Sequence, residues 1–310
     1  VFILKKLLIK LKMLKLIDNN INLYKPDKVS YLKSLEYAKN INNDNKNKLV
    51  FHCFWRVPRE FGRKQLAVLK SIITSHSNEL ENLEINLWSN VDLSENIFFK
   101  EVSKYVNLKN WNLYDEIKDT ILEDCIYLKN ENIYDDLCYL EGDVFRLLIL
   151  YKYGGFYIDM DVLVLRNMRP LNNLEFLYQW GTSGFSDFEP NITMNGAVMR
   201  LEKESSLSLE FLEILKKIPP NKNTTSWGNR LYSNINKNDL FVLPGVWFNS
   251  EWGFENTTLD YAFKNIGYVD FFDGAFTWHW HNKWDEPIEV GSKFELLENK
   301  INKIYDNMNP

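Results

Sequence analysis

The chain is short of cysteine, of net positive charge and of long uncharged apolar runs, and each shortage removes a class of protein. Three cysteines in 310 residues, Cys53, Cys125 and Cys138, are too few and too scattered for a disulfide framework. No Cys-x-x-Cys pair is present for a structural zinc. A reducing, cytoplasmic compartment is the simpler expectation. A net charge of −5 leaves no basic surface for general nucleic-acid binding, so no nucleic-acid partner is expected and any phosphate must be held locally. No stretch of ~20 nearly uncharged residues exists to span a bilayer. Internal repeats and long flexible linkers are also lacking.

What is there is apolar and aromatic. Hydrophobic residues make up 45% and aromatics 15%, ample for a sizeable core at a length that suits one domain with additions. Asn-x-Thr sequons begin at Asn191, Asn223 and Asn256. An Asn-rich chain produces these by chance, although they would permit a Golgi-type lumen as the alternative compartment.

The first seventeen residues carry Leu4, Leu7, Leu8, Leu11 and Leu14 at helical spacing, interleaved with Lys5, Lys6, Lys10, Lys12 and Lys15. The lysines exclude a spanning helix, and an interrupted apolar region with no small-residue cleavage site does not fit a secretory signal. Two readings stand side by side: an interfacial helix in peripheral contact with an anionic membrane, and an ordinary helix packed on the domain. Residues 18–48 are polar, with a helix predicted near 28–40. We therefore divide the chain into an N-terminal helical extension, 1–47, and a main domain, 48–310.

The main domain alternates strand and helix patterns. Strands are predicted at 48–55 and 83–88, with a helix at 65–76 between them, which implies a right-handed crossover and a parallel sheet. Further helices are expected at 95–106, 113–128, 141–153, 205–217, 226–236 and 293–306. Further strands are expected at 156–165, 174–180 and 192–200. The C-terminal third is aromatic and irregular around 242–248, 250–254 and 276–284. The fold class is α/β.

Chemistry concentrates in residues 141–161. Side chains two apart on a strand point the same way, ~6.5–7 Å apart, so Tyr157, Asp159 and Asp161 share a face while Ile158, Met160, Val162 and Val164 pack on the other. Carboxylates that close repel unless a cation or proton lies between them, and a hard divalent ion, Mn²⁺ or Mg²⁺, is the natural partner. Asp143 and Arg146, three apart on a helix, share a face. Gly154-Gly155 ends that helix through a left-handed residue and lets backbone approach a ligand closely. The bland alternative is a buried Asp143–Arg146 ion pair with two solvated acids at a strand end. Helix, glycine turn and neighbouring aromatic together favour a divalent metal holding a diphosphate.

The run from Gly142 through Leu165 resembles the signature of the sugar-binding, DXD-containing glycosyltransferases. That group includes the yeast-type α-1,6-mannosyltransferases, the lactosylceramide α-1,4-galactosyltransferases and, more distantly, the large glucosylating toxins. The similarity extends over most of residues 48–284. The resemblance implies a GT-A fold, a Rossmann-like sandwich with a mixed, mainly parallel sheet, and a retaining reaction that usually uses Mn²⁺.

By the same resemblance Asp159 reaches the donor sugar and the metal, Asp161 ligates the metal, and Asp143 and Arg146 grip sugar hydroxyls. Trp55 stacks on uracil, its alternative being core packing, with Tyr157 and Gly155 beside the donor. Met194-Asn195-Gly196-Ala197 is similar to the family's Asn-Gly-Ala strand, so Asn195 lines the sugar pocket. His279-Trp280-His281-Asn282-Lys283 resembles a His-x-Trp-Asn-Lys segment whose histidine completes the metal site. His279 is favoured over His281 as ligand, with the other in support. Lys283 and Trp284 contact the diphosphate. Trp227-Gly228-Asn229 replaces the family's usual Gly-Pro, so acceptor recognition is not carried over.

The expected function is metal-dependent transfer of a hexose, with retention, from a nucleotide-diphosphate sugar to a glycan, glycolipid or protein acceptor. A UDP-hexose is the leading donor. Two rivals are weighed: a catalytically silent nucleotide-sugar or glycan-binding module, and a phosphotransferase using Asp-x-Asp as nucleophile and acid. The latter wants Thr or Val where Leu163 stands and a motif near the domain start, not halfway along the chain.

Overall fold

Six of the seven residues of Leu49–Trp55 are buried, as a central strand covered on both faces requires. The protein is described by a computed structural model over residues 28–42, 45–56, 59–130, 133–134, 139–180, 185–186, 189–190, 193–220, 227–236, 240–249, 262–265 and 273–308. The leucine–lysine segment 1–17, the three sequon asparagines, Cys138 and residues 250–254 lie outside these. No helix among the described residues is long and apolar enough to cross a membrane.

In chain order the first elements are α1 (Lys28–Lys39), β1 (Leu49–Trp55), α2 (Arg63–Ser75), β2 (Leu83–Ser89), α3 (Ile97–Val102), β3 (Val106–Asn110), α4 (Leu113–Ile117), α5 (Ile126–Lys129) and α6 (Tyr139–Tyr153). There follow β4 (Gly155–Ile158), β5 (Val162–Val164), β6 (Phe176–Trp180), the short β7 (Phe185–Ser186) and β8 (Glu189–Pro190), β9 (Thr193–Leu201), α7 (Ser206–Lys217), α8 (Trp227–Ser233), β10 (Phe241–Leu243), β11 (Thr277–His279) and α9 (Lys293–Asn307). One sheet runs β10-β6-β9-β4-β1-β2-β3, and β5 pairs with β11 in a separate ribbon. Only β9 is antiparallel to its neighbours in the large sheet. The fold is thus the mixed, mostly parallel α/β sandwich.

Alternation along β1 builds two cores. Phe51, Cys53 and Trp55 enter the core that α2 and α9 cover, whereas Phe54 joins the one covered by α6, α7 and α8. The described helix of the N-terminal extension, α1, enters the first core through Leu35 and Ala38. There the Trp247 indole N–H lies 3.0 Å from the Ser34 carbonyl and 2.9 Å from its hydroxyl.

Three expectations change. The helix expected to reach residue 106 stops at Val102, and the unpredicted edge strand β3 pairs with β2. The helix expected over 113–128 splits into α4 and α5 around Asp119, whose φ of 60° no helix tolerates. The strand expected over 156–165 breaks after Ile158, and this break positions the functional site.

Gly154 and Gly155 are needed for backbone reasons. Both have positive φ, 68° and 100°. A Cβ on Gly155 would lie 2.5 Å from the Val50 carbonyl oxygen, so glycine lets β4 lie against β1. Nearby, the His52 Nε2–H donates to the Gly154 carbonyl at 3.1 Å, and its Nδ1 accepts the Trp88 indole N–H at 3.1 Å. His76 donates from Nδ1 to the Ile72 carbonyl at 2.8 Å and accepts the Met168 amide at 3.1 Å. Both histidines are buried and neutral, tying strands and loops together.

Burial lowers the pKa of each to about 4. The folded protein then resists protonation that the unfolded chain accepts, so their contribution is intact above pH 6.5 and lost as pH falls toward 4. Each histidine accounts for on the order of 3 kcal/mol across that window. We expect the melting temperature to fall steeply from pH 7 to pH 4.5, and less steeply in His52→Gln. Parallel pH profiles of the two proteins would refute the assignment.

Candidate active site

The site is built where β4 ends. The Asp159 amide still donates to the Ala197 carbonyl of β9 at 2.8 Å, and the Val162 amide closes a turn on the Asp159 carbonyl at 3.1 Å. The chain then leaves the large sheet as β5. Because β5 pairs with β11, placing His279 opposite Val162, the turn carries Asp161 to His279. Their Oδ2 and Nε2 atoms stand 3.1 Å apart. His279 is oriented from behind by Tyr178, whose hydroxyl lies 3.2 Å from Nδ1. The Asn282 amide donates to Asp161 Oδ2 at 2.8 Å. The remaining Asp161 oxygen, Oδ1, is buried and makes no hydrogen bond among the described residues.

Arg146 is the second centre. Its guanidinium lies 3.3 Å from Asp159 and 3.5 Å from Asp143, donates to the Tyr232 hydroxyl at 3.2 Å and to the Gly142 carbonyl at 3.2 Å, and sits 4.9 Å over the Tyr157 ring. The Tyr157 hydroxyl donates to Asp159. Two glycines make room: a Cβ on Gly196 would fall 2.2 Å from the Tyr232 hydroxyl, and one on Gly228 would fall 2.8 Å from an Asp143 carboxylate oxygen.

The two acids of the motif are driven apart in protonation. Burial raises the Asp159 pKa and the neighbouring Asp161 adds to the rise, with Arg146 opposing it. For Asp161, burial is outweighed by His279, by its hydrogen bond, by His281 and by the Asn282 amide, so its carboxyl sits below the usual range. Asp161 is thus an ionised, buried acid beside a partly shielded, more readily protonated one.

Two joined clefts open on this centre. One, with about 560 Å³ of open space, is walled by Trp55, Arg56, Arg59, Tyr157 and Trp284. The other, about 1190 Å³, is lined by Trp180, Asn195, Asn229, Tyr232 and His281. Arg146, Asp159 and Asn282 line both. Of the residues singled out from sequence, Asp143, Arg146, Tyr157, Asp159, Asp161, Asn195, His279, His281, Trp55 and Trp284 all border these spaces. Two do not. Gly155 packs against Val50 of β1, and the Lys283 ammonium pairs with Glu286 at 3.1 Å. His281 stacks on His279, with ring centroids 3.8 Å apart.

Sequence reasoning missed Tyr232, Tyr178, Arg59 and Trp180. Tyr232 lies 86 residues from its partner Arg146 and Tyr178 lies 101 from His279, and no local pattern signals either pairing.

Among the described residues no group of three or more His, Cys, Asp or Glu is gathered to hold a metal by protein alone. The donors instead fit a cation that arrives with phosphate oxygens, since such ions commonly take only one or two carboxylates from protein. The buried Asp161 oxygen with no hydrogen bond supports that fit.

Residues 63–178 match the family model for the glycosyltransferase sugar-binding region containing the DXD motif; the match contains Asp143, Arg146, Asp159 and Asp161. An uncharacterized protein of Arabidopsis thaliana is 43% identical over 71 residues, which are 23% of this chain and 10% of that protein. The chain thus matches about a tenth of that relative's length. Among solved structures, the bifunctional glycosyltransferase WbbM is similar at 12% identity with a TM-score of 0.51, over 86% of this chain and 52% of that one. The galactosyltransferase LgtC aligns at 12% identity and a TM-score of 0.48, over 84% and 97%. At such identities the likeness to WbbM concerns the fold. The motif and the site geometry agree with that family match, which places a glycosyltransferase sugar-binding region containing the DXD motif within residues 63–178.

Proposed function

We propose that the protein transfers a hexose from a UDP-sugar to a hydroxyl of a glycan, glycolipid or protein, with retention of anomeric configuration and with a divalent cation. The observation that carries this is the ionised, buried Asp161, one oxygen without a hydrogen bond, set between His279 and a cleft walled by two indoles. Asp161 and His279, with Asp159 beside them, would hold Mn²⁺ or Mg²⁺, which supplies Lewis-acid charge next to the leaving diphosphate.

The chain's own residues supply the rest. Trp55 and Trp284 flank the space for the nucleotide. Asp143, Arg146 and Asn195 offer fixed donors and acceptors to sugar hydroxyls. Arg146, held by two carboxylates and a tyrosine, cannot swing away, which is the preorganisation that transition-state stabilisation needs. In the transfer, the bond from the anomeric carbon to the diphosphate oxygen breaks and the acceptor oxygen bonds that carbon from the same face. The acceptor's proton passes to the departing phosphate. Lys283 would have to release Glu286 to contact that phosphate. We further place the protein in the cytoplasm, in contact with an anionic membrane through residues 1–17. The cysteine usage and the leucine–lysine pattern support that placement.

With Mn²⁺ and a panel of nucleotide sugars, we expect slow nucleoside diphosphate release that is fastest with a UDP-hexose. Asp161→Asn should reduce it by about 10²-fold or more while circular dichroism still shows the folded α/β protein. Affinity without release from any donor would identify a binding module instead. Gly196→Ala should lower turnover about tenfold or more by displacing the Tyr232 hydroxyl from Arg146, and Tyr232→Phe, which removes the same hydroxyl, should lower it in the same direction. A fully active Gly196→Ala enzyme would show that the contact is dispensable.

A further inference from the structure

The wall of the narrower cleft that carries Trp284 is a strap, residues 281–286, with no regular structure of its own. It begins with two non-glycine residues at left-handed φ, His281 at 56° and Asn282 at 59°, a conformation that must be held by its surroundings. One end is held by Asp161, which accepts the Asn282 amide. At the other end one ammonium group reaches three backbone carbonyls. Lys64 Nζ donates to the carbonyls of Lys283, Trp284 and Glu286 at 2.5, 2.9 and 2.7 Å. Its ammonium also lies 3.7 Å from the centre of the Phe263 ring.

Lys64 sits in the first turn of α2, which holds two cations and no acid. That is the positive end of the helix dipole, where a lysine is unfavourable. Arg63, beside it, is offset by Glu298 at 2.5 Å. Lys64 is buried, and burial draws its pKa down to about 8. Helix stability gives no reason for this residue; the three carbonyls do.

We propose that Lys64 is a positioning residue that pins the 281–286 strap and thereby sets Trp284 as a wall of the nucleotide cleft. Trp284 meets Trp55 edge-on at 5.3 Å, and its indole N–H donates to Asn282 Oδ1 at 3.0 Å. Removing the ammonium leaves three carbonyls without their donor and frees the end of the strap farther from Asp161. The cleft then loses one wall while the Asp161–His279 centre keeps its own contacts. This inference rests on the reading of that cleft as the donor site.

The test uses the full chain and its Lys64→Met, Lys64→Arg and Trp284→Ala forms, with the Lys64→Met/Trp284→Ala double variant. UDP affinity in the presence of Mn²⁺ and donor KM are measured, and trypsin cutting after Lys283 is timed without nucleotide. For Lys64→Met we expect UDP affinity and donor KM to worsen about tenfold with kcat changed less than about threefold, and faster cutting after Lys283. Lys64→Arg should recover most of the affinity, and the double variant should be no weaker than Trp284→Ala alone. Unchanged cutting and affinity in Lys64→Met, or additive losses in the double variant, would overturn the proposal. Faster cutting in Lys64→Met, together with no UDP binding by the wild type, would leave the strap pinned by Lys64 but remove the donor reading.

Discussion

A carboxylate taken out of water must be compensated where it sits, and Asp161 is such a group at the junction of two sheets. Its compensation comes from His279 on β11 and from the Asn282 amide, to which the turn that ends β4 delivers it. Those contacts draw the aromatic C-terminal segment back across the end of the parallel sheet. They also decide where a cleft can open. Without that tie, β5 and β11 would keep only their backbone ladder, and the wall bearing Trp284 would lack its first anchor.

Arg146 does the corresponding work on the other side of the motif. It joins helix α6, strand β4 and helix α8 through Asp143, Asp159 and Tyr232. A buried guanidinium is tolerable only when its donors are engaged, and here Asp143, Asp159, Gly142 and Tyr232, which engage them, all border the clefts. The clearances at Gly196 and Gly228 follow from the same crowding. Site and fold are therefore one packing problem: the residues that would bind sugar are also those that lock α6 and α8 to the sheet.

Much of this was legible locally. The apolar run at 48–55, the amphipathic helix expected at 65–76 and the Gly-Gly break before β4 were readable because burial on two faces, helical periodicity and positive φ each leave a mark within a few residues. Asp143, Arg146, Asp159 and Asp161 stood out for the same reason: they lie within nineteen consecutive residues of one helix, turn and strand. The break after Ile158 was not readable. Val162, Leu163 and Val164 are as β-prone as the strand before them, and what diverts them is pairing with a segment more than a hundred residues later. Asp119, at φ 60°, similarly splits a stretch whose composition alone suits one helix.

The sequence by itself determined the α/β alternation, the acidic motif and the helix face that accompanies it, since these depend on neighbours in the chain. Only the tertiary structure decided that Asp161 meets His279, that Tyr232 and Tyr178 steady the site, that Gly155 lies against Val50 of β1, and that Lys64 reaches the strap carrying Trp284. Those outcomes are contacts between segments distant in sequence. They are selected by which buried polar groups can find partners once the sheet has formed, and no local pattern records that choice.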